Sequence, residues 1–355
     1  MERNVAPPRT SAKRFLSRRQ VLAIGAATGL AAPFIRAASA APVTIRYATG
    51  GGIGPNEMET LIYLDWMQKN VLKSYGKDYV VDMTFTRGTP EAGTLLAAGQ
   101  VDMATLSFAV FALSLLKQTV PGGMTIVSDN YQDGMPGYAN NAAFVPMDSP
   151  IKTIQDLKGK KIAINAYGSA ADMSVRVKLK QEGLDPRKDV DIVEIAFPNI
   201  GPALRENRID CGALVVPFLN AETAKGGLRP LFSAGDAFGP YSPIFQVVTN
   251  DFLKANEGPV RAFLSDYVTG LHWFYDSANR TQAVALAAGL TKTPPAVLDS
   301  YMRTTRDYFR DPNACVSAKT IQGPINAMTT VGLLDKPVEI AEYISMKYLP
   351  MPCST

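Results

Sequence analysis

From Pro42 onward, short apolar runs of strand length alternate with longer segments of helical period, the rhythm that βαβ units and mostly parallel sheets impose on a chain. Strands are expected at Val43–Ala48, Tyr79–Thr86, Asp102–Leu106 and Met124–Val127, with helices at Asn56–Tyr75, Thr89–Ala98 and Phe108–Lys117 between them. The rhythm then starts again: strands end at Ile164, Ile195, Val216 and Phe232, with helices at Ser169–Glu182 and Ile200–Asn207. Two segments look like crossings between the two arrays, Ala142–Val145 outward and Ile244–Thr249 back. Leu95–Asp102 and Ala203–Asp210 echo each other, since each runs from a helix through a short turn to an aspartate that opens a strand. After Thr249 the pattern turns helical: Pro259–Ser277, Thr281–Gly289, Pro294–Phe309, Ala318–Val331 and Pro337–Met346. Two α/β lobes joined by two hinge crossings follow, with residues 41–141 and 249–355 in the first lobe and 142–248 in the second.

The first 40 residues have a different grammar. Arg14, Arg18 and Arg19 precede an apolar run from Val21 to Leu30, and small residues continue to Ala41. This is the layout of a cleaved signal peptide, and Ser17-Arg18-Arg19-Gln20-Val21-Leu22 resembles a twin-arginine export signal. Ala38-Ser39-Ala40 suits the cleavage rule, so the mature chain is expected to begin at Ala41 in the periplasm. The apolar run is shorter than the roughly 20 residues a spanning helix requires. Charge follows the same division, because residues 1–40 carry +6 of a total of +4, which leaves the mature chain near −2. The basic balance therefore reports targeting and gives no support to nucleic-acid binding.

Catalytic and metal chemistry find little to work with. The three cysteines, Cys211, Cys315 and Cys353, form no CxxC pair, and the single histidine, His272, sits in an apolar helical stretch where a packed core role is expected. Cys211 lies in an apolar strand and is expected to be buried, while pairing of Cys315 with Cys353 stays open. No cofactor is implied. The glycine-rich Gly50-Gly51-Gly52-Ile53-Gly54 lacks the rest of a dinucleotide fingerprint.

The run Ser149-Pro150-Ile151-Lys152-Thr153-Ile154-Gln155-Asp156-Leu157-Lys158-Gly159-Lys160-Lys161-Ile162-Ala163, the Gly168-Ser169 helix start, Gly183-Leu184-Asp185 and the Ala203–Asp210 unit resemble the nitrate/sulfonate/taurine-type solute-binding proteins of ABC importers, a superfamily that includes receptors for pyrimidine precursors of thiamine. That resemblance implies an α/β periplasmic-binding-protein type II fold, with a ligand cleft lined by loops at the carboxyl ends of strands. Elementary physics points the same way, since helix N-termini at strand ends present free N–H groups. The expected contacts in the first lobe are Thr49, Gly50, Gly51, Arg87, Gly88, Thr89, Ser107 and Phe108. In the second lobe they are Asn165, Tyr167, Gly168, Ser169, Ala170, Phe197, Asn199, Pro217 and Phe218. Asp102 and Asp210 are read as structural ties.

The expected function is passive capture of a small organic ligand: Arg87 and two helix N-termini suggest an anion such as a sulfonate or carboxylate, and the nearby Phe and Tyr residues leave a neutral heterocycle open. The expected partners are a membrane permease with its ATPase and, during export, the twin-arginine translocase. The opening Val43-Thr44-Ile45-Arg46-Tyr47-Ala48-Thr49-Gly50-Gly51 also resembles some receptors of TRAP-type transporters. An enzyme is the alternative of a different class, similar to a pyrimidine synthase of the same superfamily that needs a lysine and a histidine in its cleft. His272 falls far in sequence from every strand-end loop.

Overall fold

The computed structural model describes residues 41–49 and 58–353. The expected signal segment, and Gly50 and Gly51, lie outside the described residues. Two five-stranded sheets organise the rest. The first contains β1 (Val43–Thr49), β2 (Tyr79–Phe85), β3 (Met103–Ser107), β4 (Met124–Asp133) and β10 (Tyr241–Thr249), in the order β2-β1-β3-β10-β4. The second contains β5 (Ala142–Pro146), β6 (Lys161–Ile164), β7 (Asp191–Glu194), β8 (Cys211–Leu214) and β9 (Leu228–Ser233), in the order β7-β6-β8-β5-β9.

The two orders are the same topology written twice. In each sheet three strands are parallel and the fourth position holds an antiparallel strand, β10 in the first and β5 in the second. The strands that follow the two passages between sheets are these antiparallel ones, so each passage ends as a paired, buried ladder. The aspartate echo has the same logic. Asp102 donates its N–H to the Arg46 carbonyl at 2.8 Å and accepts from the Arg46 N–H at 3.0 Å. Asp210 does the same with Lys161, at 2.9 Å in both directions. In both lobes the carboxylate therefore stands in for one more rung at a strand start, and Asp102 adds the Arg46 guanidinium.

Four buried clusters cover the four sheet faces. One face of the first sheet, with Ile45, Tyr47 and Met103, packs on the helix Glu257–Tyr275 through Phe263, Leu264 and Tyr267. The opposite face, with Ala104, Phe245 and Val247, packs on the helices Phe108–Lys117 and Ala318–Thr330. Ile162, Ile164 and Cys211 face one side of the second sheet and Ala163 and Leu214 the other. Cys211 is fully buried, and burial pushes its thiol up to about 12. Cys315 and Cys353 are joined by a disulfide.

Several expected elements differ. Ile244–Thr249 is not a free crossing: the strand begins at Tyr241 and belongs wholly to the first sheet. Similarly, β4 continues to Asp133 because it pairs with β10 along nearly its whole length. The helix expected at Asn56–Tyr75 is seen as Met58–Ile62 and Asp65–Asn70, after which Asp266 collects the N–H groups of Lys73, Ser74 and Tyr75 and turns the chain. The helix expected at Pro294–Phe309 stops at Tyr301. Arg303 takes a left-handed conformation with its N–H on Asp307, and Phe309 then bridges to Gln132 beside β4. Pro337–Met346 forms short turns, since Ile344 bridges to Ile126. His272 is exposed, off the buried stripe of its helix, with Nε2 3.1 Å from Asn313. The expected core role is therefore wrong, because its neighbours Leu271 and Phe274 take the inward positions. Among the described residues no helix is long and apolar enough to cross a membrane.

Candidate ligand-binding cleft

A cleft of about 620 Å³ lies between the strand ends of the two sheets. From the first lobe it is lined by Thr86, Arg87, Gly88, Pro90 and Glu91, and from the second by Asn165, Ala166, Tyr167, Glu194, Ala196, Phe197, Pro198 and Phe218. Each group sits where a parallel strand ends: Thr86 follows β2, Asn165 follows β6, and Glu194 closes β7. Helices start at the same places. Thr89–Ala97 begins after Gly88 and Phe197–Arg205 after Ala196, both without a side-chain cap; Pro90 and Pro198 stand second and the third N–H of each already bonds the cap-residue carbonyl, so each helix leaves at most its first N–H, with the positive end of its dipole, at the strand end.

The strand-end loops of the two sheets approach each other at Gly88. A Cβ there would stand 3.2 Å from the Ala166 Cβ and 3.3 Å from Asn165 Nδ2. The backbone at Gly88 is extended, so what disfavours a side chain there is space and not conformation.

The aromatic part of the wall comes from the second lobe. Phe197 and Phe218 stack with centroids 6.0 Å apart, and Tyr167, half exposed, anchors its hydroxyl on the Ile192 carbonyl at 2.5 Å while Arg176 lies over its ring. The Tyr167 N–H donates to Glu194 at 2.7 Å. Charge in the lining is mixed. Arg87 has a 91% exposed side chain, its Nε lies 3.4 Å from Glu91, and the Arg87 N–H donates to the same carboxylate at 2.8 Å. That N–H, more than the guanidinium, holds the Glu91 carboxyl below its usual range.

Of the sequence-derived contacts, the cleft brings together Arg87, Gly88, Asn165, Tyr167, Phe197 and Phe218. Other expected residues are near but engaged elsewhere. Ser169 caps the helix Ala170–Gln181 by accepting from the Asp172 N–H and donates to Asn165 at 2.8 Å, so it positions a lining residue. Gly168 gives its N–H to Asp172. Ala170 packs with Met173 against the core of the first lobe. Ser107 caps Phe108–Lys117 and accepts from the Thr89 hydroxyl, and both are buried. Phe108 is a core residue, edge-on to Phe238 and Tyr241. Asn199 lies in the first turn of Phe197–Arg205, and Pro217 follows a cis peptide bond ahead of Phe218, both outside the lining. Thr49 is buried behind the rim. Sequence reasoning missed Glu194 in particular. Glu194 was within reach of the strand-end rule, since it is the last residue of β7. Among the described residues no cluster of His, Cys, Asp or Glu has the grouping of a metal site.

Comparison with known proteins agrees with this architecture. A model of the NMT1-like family matches residues 60–288, well over half of the chain. A curated Escherichia coli (strain K12) protein named as aliphatic sulfonates-binding is 27% identical over 158 residues, covering 44% of this chain and 48% of that protein. A Bacillus subtilis (strain 168) protein with the same name is 25% identical over 174 residues, covering 49% and 50%. The matched region thus spans about half the length of these relatives. Among solved structures, the alkanesulfonate-binding protein SsuA of Xanthomonas axonopodis pv. citri, bound to MOPS, superposes with a TM-score of 0.67 at 18% identity, covering 86% of this chain and 99% of that one. The periplasmic nitrate-binding protein NrtA of Synechocystis PCC 6803 gives 0.68 at 13%, covering 86% and 87%. The names of these proteins describe binding and not catalysis. With its family model, its paired sheets and its interlobe cleft, the chain belongs to the NMT1-like family and has the fold of the periplasmic sulfonate- and nitrate-binding proteins.

Proposed function

We propose that the protein is the exported receptor of an ABC importer and captures a small organic anion, a sulfonate or carboxylate with an apolar portion, in the cleft between its lobes. The observation that carries this reading is the cleft itself. Strand ends and two uncapped helix N-termini from both lobes meet there, the arrangement in which an anion gains hydrogen bonds and a favourable field without a dedicated counter-charge. The stacked Phe197 and Phe218 suit an apolar chain or ring. Arg87 is the natural second contact, because closure of the lobes would draw its guanidinium away from Glu91 and onto the ligand. The sulfonate named in the relatives agrees with this chemistry. In this reading residues 1–40 direct export through the twin-arginine translocase, and the loaded receptor docks on a permease served by an ATPase.

A thermal-shift screen against ethanesulfonate, benzenesulfonate, benzoate and nitrate tests it, because a ligand that binds only the folded chain raises its unfolding midpoint in proportion to the logarithm of its concentration. The expected result is a shift with at least one organic anion, recovered chemically unchanged. Turnover of the bound compound, or no shift with any anion, would refute it.

A further inference from the structure

Part of the cleft's aromatic wall is held in place from outside its own sheet. Phe218 lines the cleft and opens the helix Phe218–Lys225, which follows β8 through Val215, Val216 and Pro217. That helix has little apolar packing to fix it. Its buried residue is Glu222, one turn beyond Phe218, where the carboxylate pairs with Arg205 and Lys225. Phe218 and Leu219 are only partly buried. A short helix packed in this way depends on polar ties at its start, because few apolar contacts oppose a shift of the segment.

The ties come from the segment Arg306–Tyr308. Tyr308 is buried, with its ring stacked on Tyr131 of β4 at a centroid distance of 4.0 Å. Its hydroxyl accepts from the Val216 N–H at 2.9 Å and donates to the side-chain carbonyl of Asn141, just ahead of β5. Burial holds the phenol well above its usual range, so it stays protonated and can make both bonds. Two residues earlier, the Arg306 carbonyl accepts from the Asn220 side chain at 3.0 Å. The segment is in turn fixed to the first sheet and to the passage that leaves it. The Phe309 carbonyl accepts from the Gln132 N–H of β4 at 2.8 Å, and the Asp307 carbonyl accepts from the Ala139 N–H at 3.1 Å. A strap of hydrogen bonds thus joins the edge of the first sheet to the loop that carries Phe218. Only Pro217, with its ring-fixed φ, separates Val216 from Phe218, so a displacement of Val216 is passed on to the wall.

We propose that Tyr308 is a positioning residue for ligand binding: its hydroxyl fixes Val216 from the side of the first sheet and so sets where Phe218 stands against Phe197 in the cleft. Tyr308 lies outside the lining and acts through Phe218, favouring ligands whose ring or chain reaches that wall. The inference rests on the receptor reading and adds a specificity determinant to it. In Tyr308→Phe the Val216 N–H and the Asn141 carbonyl lose this partner while the ring stays on Tyr131, so the loop is loosened with the packing kept. Benzenesulfonate and benzoate are large enough to use the wall. Methanesulfonate and acetate, with a single methyl group, are not.

The test compares the native protein with Tyr308→Phe, Asn220→Ala and a control, Tyr79→Phe. The Tyr79 hydroxyl bonds Asp266 at the start of β2, the end of that strand away from the cleft. Amide hydrogen exchange is measured without ligand, and calorimetry with benzenesulfonate against methanesulfonate and benzoate against acetate. In Tyr308→Phe the amides of Val216 and of Phe218–Lys225 should exchange at least about ten-fold faster. The affinity ratio of the aromatic to the methyl anion should fall by about two- to thirty-fold. Asn220→Ala should move both readouts in the same direction, and it carries the test if Tyr308→Phe does not fold. Tyr79→Phe should lower the unfolding midpoint and leave both readouts unchanged. The inference is overturned if exchange at Val216 is unaltered, or if exchange quickens while the affinity ratio stays at its native value. In either case the binding of these anions leaves the receptor reading standing, whereas binding of none of the four removes that reading for organic anions and this inference with it.

Discussion

Gly88 is the position where the two-lobe reading can be tested most directly. Its extended backbone accepts any residue, so a substitution there acts through space alone. In Gly88→Ala the new Cβ meets Ala166 at 3.2 Å and Asn165 at 3.3 Å, a few tenths of an ångström inside ordinary contact. Both neighbours belong to the opposite lobe, and the free protein can relieve the contact by opening. Gly88→Val adds two more carbons about 1.5 Å farther out, which the gap cannot hold with the lobes at this separation. Overpacking of this kind costs about 1–3 kcal/mol. If ligand is held only by closed lobes, that cost falls on the bound state, and the dissociation constant should rise about 5- to 150-fold for Gly88→Val. Gly88→Ala should lose only a few-fold. Gly258→Ala, in open space on the helix Glu257–Tyr275, serves as the control and should lose nothing. Calorimetry with an organic anion from the screen gives the affinities, and solution scattering should show that saturating ligand shrinks the native protein and not Gly88→Val. Unchanged affinity in Gly88→Val would mean that the lobes do not approach at Gly88 when ligand is bound, and the closure argument would fail.

Three further outcomes are expected. Burial raises the Asp129 carboxyl to about 7 and that of Asp133 to about 6, against hydrogen bonds from Ser242 and Tyr241 that pull them down. The folded chain therefore holds protons that the unfolded chain, titrating near 4, releases, so this stability is present at low pH and lost as pH rises through 6 to 7. The unfolding midpoint should fall between pH 5 and pH 8, and Asp129→Asn should flatten that slope; an unaltered slope would show that Asp129 is charged throughout. Asp102→Ala removes the acceptor of three Arg46 N–H groups and should cost about 2–3 kcal/mol in urea unfolding. Asp210→Ala, at a far more exposed site, should cost about 1 kcal/mol or less, and equal losses would contradict the burial argument. Replacing Arg18 and Arg19 by lysine should leave uncleaved precursor in the cytoplasm, whereas normal maturation would point to the general secretory route.

Sequence alone determined the strand and helix rhythm, the return of that rhythm after residue 142, and the matched units ending in Asp102 and Asp210. These are local properties, set by side-chain period, caps and turn residues within a few positions of one another. The same locality made the strand-end rule reach Arg87, Gly88, Asn165, Tyr167, Phe197 and Phe218 at the cleft. It also explains the misses. Ser107, Ser169 and Thr89 stand at helix starts just as ligand contacts would, but their hydroxyls are committed to caps and neighbours, and only the folded geometry separates those uses. Pro294–Phe309 has a helical pattern, yet Arg303 turns and Phe309 joins the edge of β4, because pairing with a strand more than 170 residues away decides that segment. Tertiary structure likewise placed β10 in the middle of the first sheet, which put Gln246 beside Thr105 and Ser128, and it brought Gly88 against Ala166. Such contacts join residues from distant parts of the chain through register and lobe packing, and a one-dimensional pattern carries no record of which strands will lie side by side.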